Sequence, residues 1–159
     1  MIKNLIKILL VFFLIYTTVH AETVKDISIS GNKRISNETI FALGQINPKD
    51  DFDEKKLDLI LKKLYDTNFF SDVSLVITNN ILEIDIIENP IIENIQISGI
   101  KNQRLEEDII NSLNLQNRMS FTDTLLTKDI ETIKKFHKSA GFYFVKVISS
   151  VSKNEELNS

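Results

Sequence analysis

The sequence predicts an α+β protein made of two tandem units, each in the order β-α-α-β-β, and three observations carry that reading. The first is an internal repeat. Ile27-Ser28-Ile29-Ser30-Gly31 recurs as Ile95-Gln96-Ile97-Ser98-Gly99, Glu38-Thr39-Ile40-Phe41 as Glu107-Asp108-Ile109-Ile110, and Phe52 as Phe121. The second is apolar periodicity, which switches between strand and helix spacing in the same sequence of steps in both halves. The third is punctuation: all 4 glycines and both of the 2 prolines fall where an element should end.

In the first unit, Lys25 to Ser30 alternates, with Ile27 and Ile29 on one face, as a half-buried strand does. Ser36 and Asn37 open a short helix carrying Ile40, Phe41 and Leu43, and Gly44 is expected to close it as a C-terminal cap. After the turn Asn47-Pro48-Lys49-Asp50, Asp51 with Glu54 resembles a capping box ahead of a second helix. Leu57, Ile60, Leu61 and Leu64 form its apolar stripe. Val73, Leu75 and Ile77 alternate again, Asn79-Asn80 is a two-residue turn, and Leu82, Ile84 and Ile86 return with Glu83 and Asp85 opposite, which is a hairpin pattern.

The second unit begins likewise. Ile95 and Ile97 are expected in a strand, Ile109, Ile110 and Leu113 on a helix, and Leu126, Ile130, Ile133 and Phe136 on a second helix ending near Gly141. Val145-Lys146-Val147, after Phe142-Tyr143-Phe144, repeats the strand that follows Phe69-Phe70. The matching hairpin partner should begin near residue 155, where only Glu155-Glu156-Leu157-Asn158-Ser159 remains.

Residues 1–21 read as a secretory signal peptide: Lys3 and Lys7, the apolar run Ile8 to Tyr16, and Val19-His20-Ala21 at the cleavage end. The apolar core falls short of the roughly 20 residues that a spanning helix needs. Removing this segment takes 2 of the 19 basic residues and none of the 22 acidic ones, leaving a net charge of −5. That balance disfavours nucleic acid as a partner. The remaining residues divide into 22–90 and 91–159, with the second unit truncated in its last strand.

Chemistry is sparse. There is no cysteine, and beyond the signal segment the single histidine is His137, expected to be a half-exposed residue on the second helix of its unit. Thiol catalysis and Cys-containing zinc sites are excluded, no cofactor or metal is implied, and no enzyme is expected. The acids Asp50, Asp51, Asp53 and Glu54 lack calcium-loop spacing and sit where a helix starts, so they read as caps. The pairs Lys55-Lys56, Lys62-Lys63 and Lys134-Lys135 are interrupted by acids at helical spacing and describe a solvated face. The remaining candidate is backbone chemistry. A short strand of Val73, Ser74, Leu75, Val76, Ile77 and Thr78 would offer unpaired N–H and C=O groups to an extended binding segment if it lies at a sheet edge. Proline at Val76 is expected to weaken such pairing while leaving the fold near intact.

Ser30-Gly31-Asn32, the step Asn68-Phe69-Phe70-Ser71-Asp72-Val73 and the junction Ile87-Glu88-Asn89-Pro90-Ile91-Ile92-Glu93-Asn94-Ile95-Gln96-Ile97-Ser98-Gly99 resemble the POTRA (polypeptide-transport-associated) repeats of the bacterial outer-membrane protein assembly factors. The resemblance runs from about Val24 to the end of the chain. It implies a mixed three-stranded sheet covered by two helices, with the third strand central and the second at an edge. It further implies a periplasmic module at the outer membrane that binds unfolded β-barrel precursors and other assembly subunits, with membrane association through a C-terminal barrel that this sequence does not contain. Such relatives usually carry five repeats against two here. A membrane-anchored POTRA scaffold of the division-protein kind, and a fragment of a two-partner secretion transporter, are the alternatives. The junction Asn89-Pro90 is expected to restrict the angle between units, because proline fixes its own φ and biases Asn89 toward extension.

Overall fold

A computed structural model describes residues 24–159; the signal peptide expected at 1–21 lies outside the described residues. The alternating stretch at the start forms β1 (Asp26–Ser30), followed by α1 (Asn37–Gly44), α2 (Glu54–Asp66), β2 (Phe70–Thr78) and β3 (Ile81–Glu88). The sheet order is β1-β3-β2, with β1 parallel and β2 antiparallel to β3. The third strand is therefore central, as the resemblance implies. Asn79 and Asn80 both take positive φ (53° and 64°), which matches the right-handed twist of a tight hairpin.

Period-2 and period-3.6 stripes converge on one core. Ile40 of α1, Ile60 and Leu64 of α2, and Leu82 and Ile84 of β3 are completely buried. Each contributes about 1.5–3 kcal/mol of burial free energy. Phe52, Phe70, Val73 and Ile86 close the same cluster.

Two caps differ from expectation. The left-handed residue after α1 is Gln45 (φ 51°), not Gly44. Gly44 is the last helical residue, and a Cβ there would lie 2.8 Å from the Ile46 side chain. At α2 the N-cap is Asp53 rather than Asp51, its carboxylate accepting from Lys56 N–H at 2.8 Å. Asp50 instead pairs with the Lys56 ammonium at 2.5 Å, which holds its carboxyl below the usual range.

The second unit forms its two helices, α3 (Gln103–Ser112) and α4 (Asp123–Ser139), but the expected strands at Ile95–Ile97 and Val145–Val147 do not form. The sheet order of the first unit explains this. Its outer strands never touch each other; both pair with β3, and no counterpart of β3 is present among the described residues. The hairpin partner expected near 155 is a turn. Its Asn158 carbonyl accepts from Ile91 N–H at 2.9 Å, as the Asn80 carbonyl accepts from Lys25 N–H at 2.7 Å. Ile109, Leu113 and Leu115 are buried, whereas Ile110, expected on the same stripe, is 47% exposed.

The junction is hydrogen-bonded on both sides. Asn89 N–H donates to the Phe69 carbonyl at 2.8 Å, and Asn89 Nδ2 donates to the Asn68 carbonyl at 2.9 Å. Beyond it, Ile92 N–H donates to Met119 and Phe121 N–H to the Pro90 carbonyl, so Pro90 to Ile92 belong with the second unit.

Candidate functional site

All six residues Val73 to Thr78 lie in β2, and among the described residues β2 pairs only with β3, which leaves the strand one outer edge. Residues of an antiparallel strand direct their backbone groups alternately toward and away from the neighbour. The phase is set by Val73, whose N–H donates outward to the Tyr65 hydroxyl at 3.0 Å. Leu75 and Ile77 therefore also point their N–H and C=O groups outward, while Ser74, Val76 and Thr78 bond to β3. Sequence reading marked the strand but not this phase, and it corrects one expectation. Proline at Val76 would remove a ladder hydrogen bond, whereas at Ile77, which also packs against the core, proline spares the ladder and removes an outward N–H.

Sequence reading also missed Tyr65. From the last turn of α2 its hydroxyl reaches over the strand, accepting from Val73 N–H and lying 3.2 Å from Asp72 Oδ1 and 3.5 Å from the Val73 carbonyl oxygen. The pairing register with β3 shifts between Phe70 and Asp72, immediately before this contact. The opposite edge of the sheet is shorter: β1 has 5 residues, and Ile27 N–H is taken by Asp26 Oδ1 at 2.8 Å.

The upper end of the sheet is fixed by a group whose role the junction motif concealed. Glu88, 5% exposed, accepts from Lys33, Arg34 and Ile35 N–H at 2.9, 3.0 and 3.0 Å, and from Arg34 Nε at 2.9 Å. Burial pushes its pKa up, but the three amides and the guanidinium outweigh burial and hold the carboxyl below its ordinary range. Arg34 also donates to the Asn89 carbonyl at 2.5 Å. Next to this loop, Gly31 (φ 80°) passes so close to β3 that a Cβ would sit 2.0 Å from the Ile86 oxygen.

In the second unit, Asp129 is buried and accepts from Asn114 N–H, Asn114 Nδ2 and Leu115 N–H, each at 2.8 Å, tying α4 to the end of α3. A groove of about 670 Å³ is lined by Leu126, Ile130 and Ile133 of α4 together with Ile95, Ile97, Val147 and polar residues such as Gln96 and Lys146. His137 is half-buried, with Nδ1 2.9 Å from the Ile133 carbonyl and its ring against Phe142. Among the described residues no cluster of three His, Cys, Asp or Glu could hold a metal, and no helix is long and apolar enough to cross a membrane.

Comparison with known proteins agrees with this architecture. The chain is 38% identical over 81 residues to the outer membrane protein assembly factor BamA of Neorickettsia risticii, covering 51% of this chain and 11% of that protein. It is 27% identical over 135 residues to BamA of Neisseria meningitidis, covering 82% and 17%. The chain thus spans less than a fifth of the length of these curated relatives. Among solved structures, the POTRA1-2 region of Omp85 from Anabaena covers 84% of this chain and is itself covered over 88%, at 15% identity and a TM-score of 0.50. The N-terminal domain of Omp85 from Thermosynechococcus elongatus covers 75% of the chain at 17% identity and a TM-score of 0.51. The POTRA family, described as surface antigen variable number repeat, matches residues 22–89 and again 90–159, and the chain belongs to that family.

Proposed function

We propose that this chain is a non-enzymatic periplasmic module of an outer-membrane protein assembly factor, exported by cleavage after Ala21. In this reading it holds unfolded β-barrel precursors through the outer edge of β2 and docks other assembly subunits. The observation that carries the reading is the run of outward backbone groups at Leu75 and Ile77 on a strand with a single neighbour. The similarity to BamA proteins, outer membrane protein assembly factors, supports the assignment of class. Each added hydrogen bond would contribute about 0.5–1.5 kcal/mol net, so binding is weak, reversible and tolerant of sequence. Such tolerance suits a factor that receives many β-rich precursors. A division into units near 22–90 and 91–159, the second truncated in its last strand, goes with this reading, with Pro90 itself bonded to Phe121 on the second-unit side.

The test is photo-crosslinking from Val76, which is 48% exposed, to an unfolded outer-membrane protein segment. Ile77→Pro should reduce the crosslinked yield at least fivefold relative to Ile77→Ala, which loses the same packing against the core but keeps the outward N–H. An undiminished yield in this variant would remove the edge of β2 from the mechanism.

A further inference from the structure

The edge of β2 is open at one end and closed at the other, and the closing group is a single hydroxyl. We infer that Tyr65 is a positioning residue for the proposed edge site, a register stop that prevents an added strand from pairing with Val73 and confines it to Leu75 and Ile77. The inference rests on the reading of β2 as the binding edge and deepens it.

The geometry is specific. Tyr65 Oη accepts from Val73 N–H at 3.0 Å and is 3.5 Å from the Val73 carbonyl oxygen, so one group covers both outward-facing atoms of that residue. A second contact, 3.2 Å to Asp72 Oδ1, gives the hydroxyl proton a carboxylate acceptor and fixes the ring over the strand. An incoming strand that reached Val73 would have to displace the Tyr65 hydroxyl and lie beside the Asp72 carboxylate. Each displaced hydrogen bond cancels the one gained, so extension past Leu75 brings no net advantage. At the other end the strand runs out at Thr78, and Asn79 and Asn80 turn away with positive φ. The site therefore measures a segment of only a few residues with a fixed starting point. The chemistry recognised is an extended backbone without proline over the residues that face Leu75 and Ile77.

The measurement is residue-resolved amide hydrogen exchange of the whole chain with a synthetic peptide of alternating valine and lysine as the probe, for the parent, Tyr65→Phe and Tyr65→Trp. In the parent, the peptide should slow exchange at Leu75 and Ile77 and leave Val73 unchanged, because Val73 is already hydrogen-bonded. In Tyr65→Phe the Val73 amide should exchange faster without peptide and become protected with it, and peptide affinity should rise two- to tenfold. Tyr65→Trp, which fills the same space without a hydroxyl at that point, should keep the stop by bulk and leave affinity at or below the parent value. If the peptide protects Leu75 and Ile77 in the parent but Tyr65→Phe neither extends protection to Val73 nor raises affinity, the register stop is wrong and the edge site stands. If the parent shows no protection at Leu75 and Ile77, the edge site itself falls, and the register stop with it.

Discussion

Removing the Glu88 carboxylate should loosen the first unit at its junction end, and its size can be worked from the contacts. In Glu88→Ala, three backbone N–H groups and the Arg34 guanidinium lose an acceptor that is 5% exposed. Breaking a buried ion pair from one side costs about 3–5 kcal/mol when both partners are sequestered. Arg34 retains 28% side-chain exposure and recovers water, and its bond to the Asn89 carbonyl persists, so the loss should fall to about 2–4 kcal/mol. Glu88→Gln keeps an oxygen for the amides but turns an NH2 toward Arg34, and should cost about 1–2 kcal/mol. The pH dependence gives an independent readout. A carboxyl whose pKa is lower folded than unfolded adds stability that is fully present above the unfolded value, about 4.3 for Glu, and is lost as pH falls through the folded value. Urea unfolding at pH 7 and at steps below 4.3 should therefore show parent and Glu88→Gln converging as the pH drops, since the variant has no proton to take up there. Parallel curves with a constant gap, or a loss below 0.5 kcal/mol in Glu88→Ala at pH 7, would refute the argument.

Three further predictions follow from close contacts. Gly31→Ala should cost more than about 2 kcal/mol, read as a fall in urea midpoint at constant slope, because a Cβ both meets the Ile86 oxygen and stands at positive φ. Asp53→Ala, which removes the α2 cap, should cost about 1 kcal/mol in the same assay. Asp129→Ala should release the amides of Asn114 and Leu115 to fast hydrogen exchange and leave those of β3 protected, since the carboxylate serves the second unit alone.

The parts of this fold that were legible in the sequence are those set by periodicity over several residues. Ile60 and Leu64, or Leu82 and Ile84, announce themselves because a repeated spacing places each on a face that has to be buried. What the sequence concealed depends on single distances between remote residues. Nothing in the spacing of Tyr65 and Val73 says that a helix will lay a phenol over a strand edge, and nothing about Glu88 at a strand end says that three amides 53 to 55 positions away will converge on it. The same limit explains the caps: Asp51 and Asp53 carry identical chemistry, and only the path of the preceding turn selects Asp53.

The two units also show that the repeat encodes elements more strongly than it encodes a sheet. Helices satisfy their own backbone groups, so α3 and α4 form from local pattern, with Ile109 buried and Asp129 joining them. Strands do not, and the alternation of Ile95 with Ile97 or of Val145 with Val147 is an instruction that requires a neighbour. In the first unit β3 supplies that neighbour on both sides, Ile84 standing opposite Ile29 in one direction and Leu75 in the other. Supplying the second unit with the same strand, by appending the sequence of Ile81 to Glu88 after Ser159, should convert residues 94–100 and 145–153 to paired strands. Far-ultraviolet circular dichroism and amide protection would report the change. If both segments remained unprotected in the extended chain, the central strand would not be what they lack, and the explanation of the second unit from the sheet order of the first would fail.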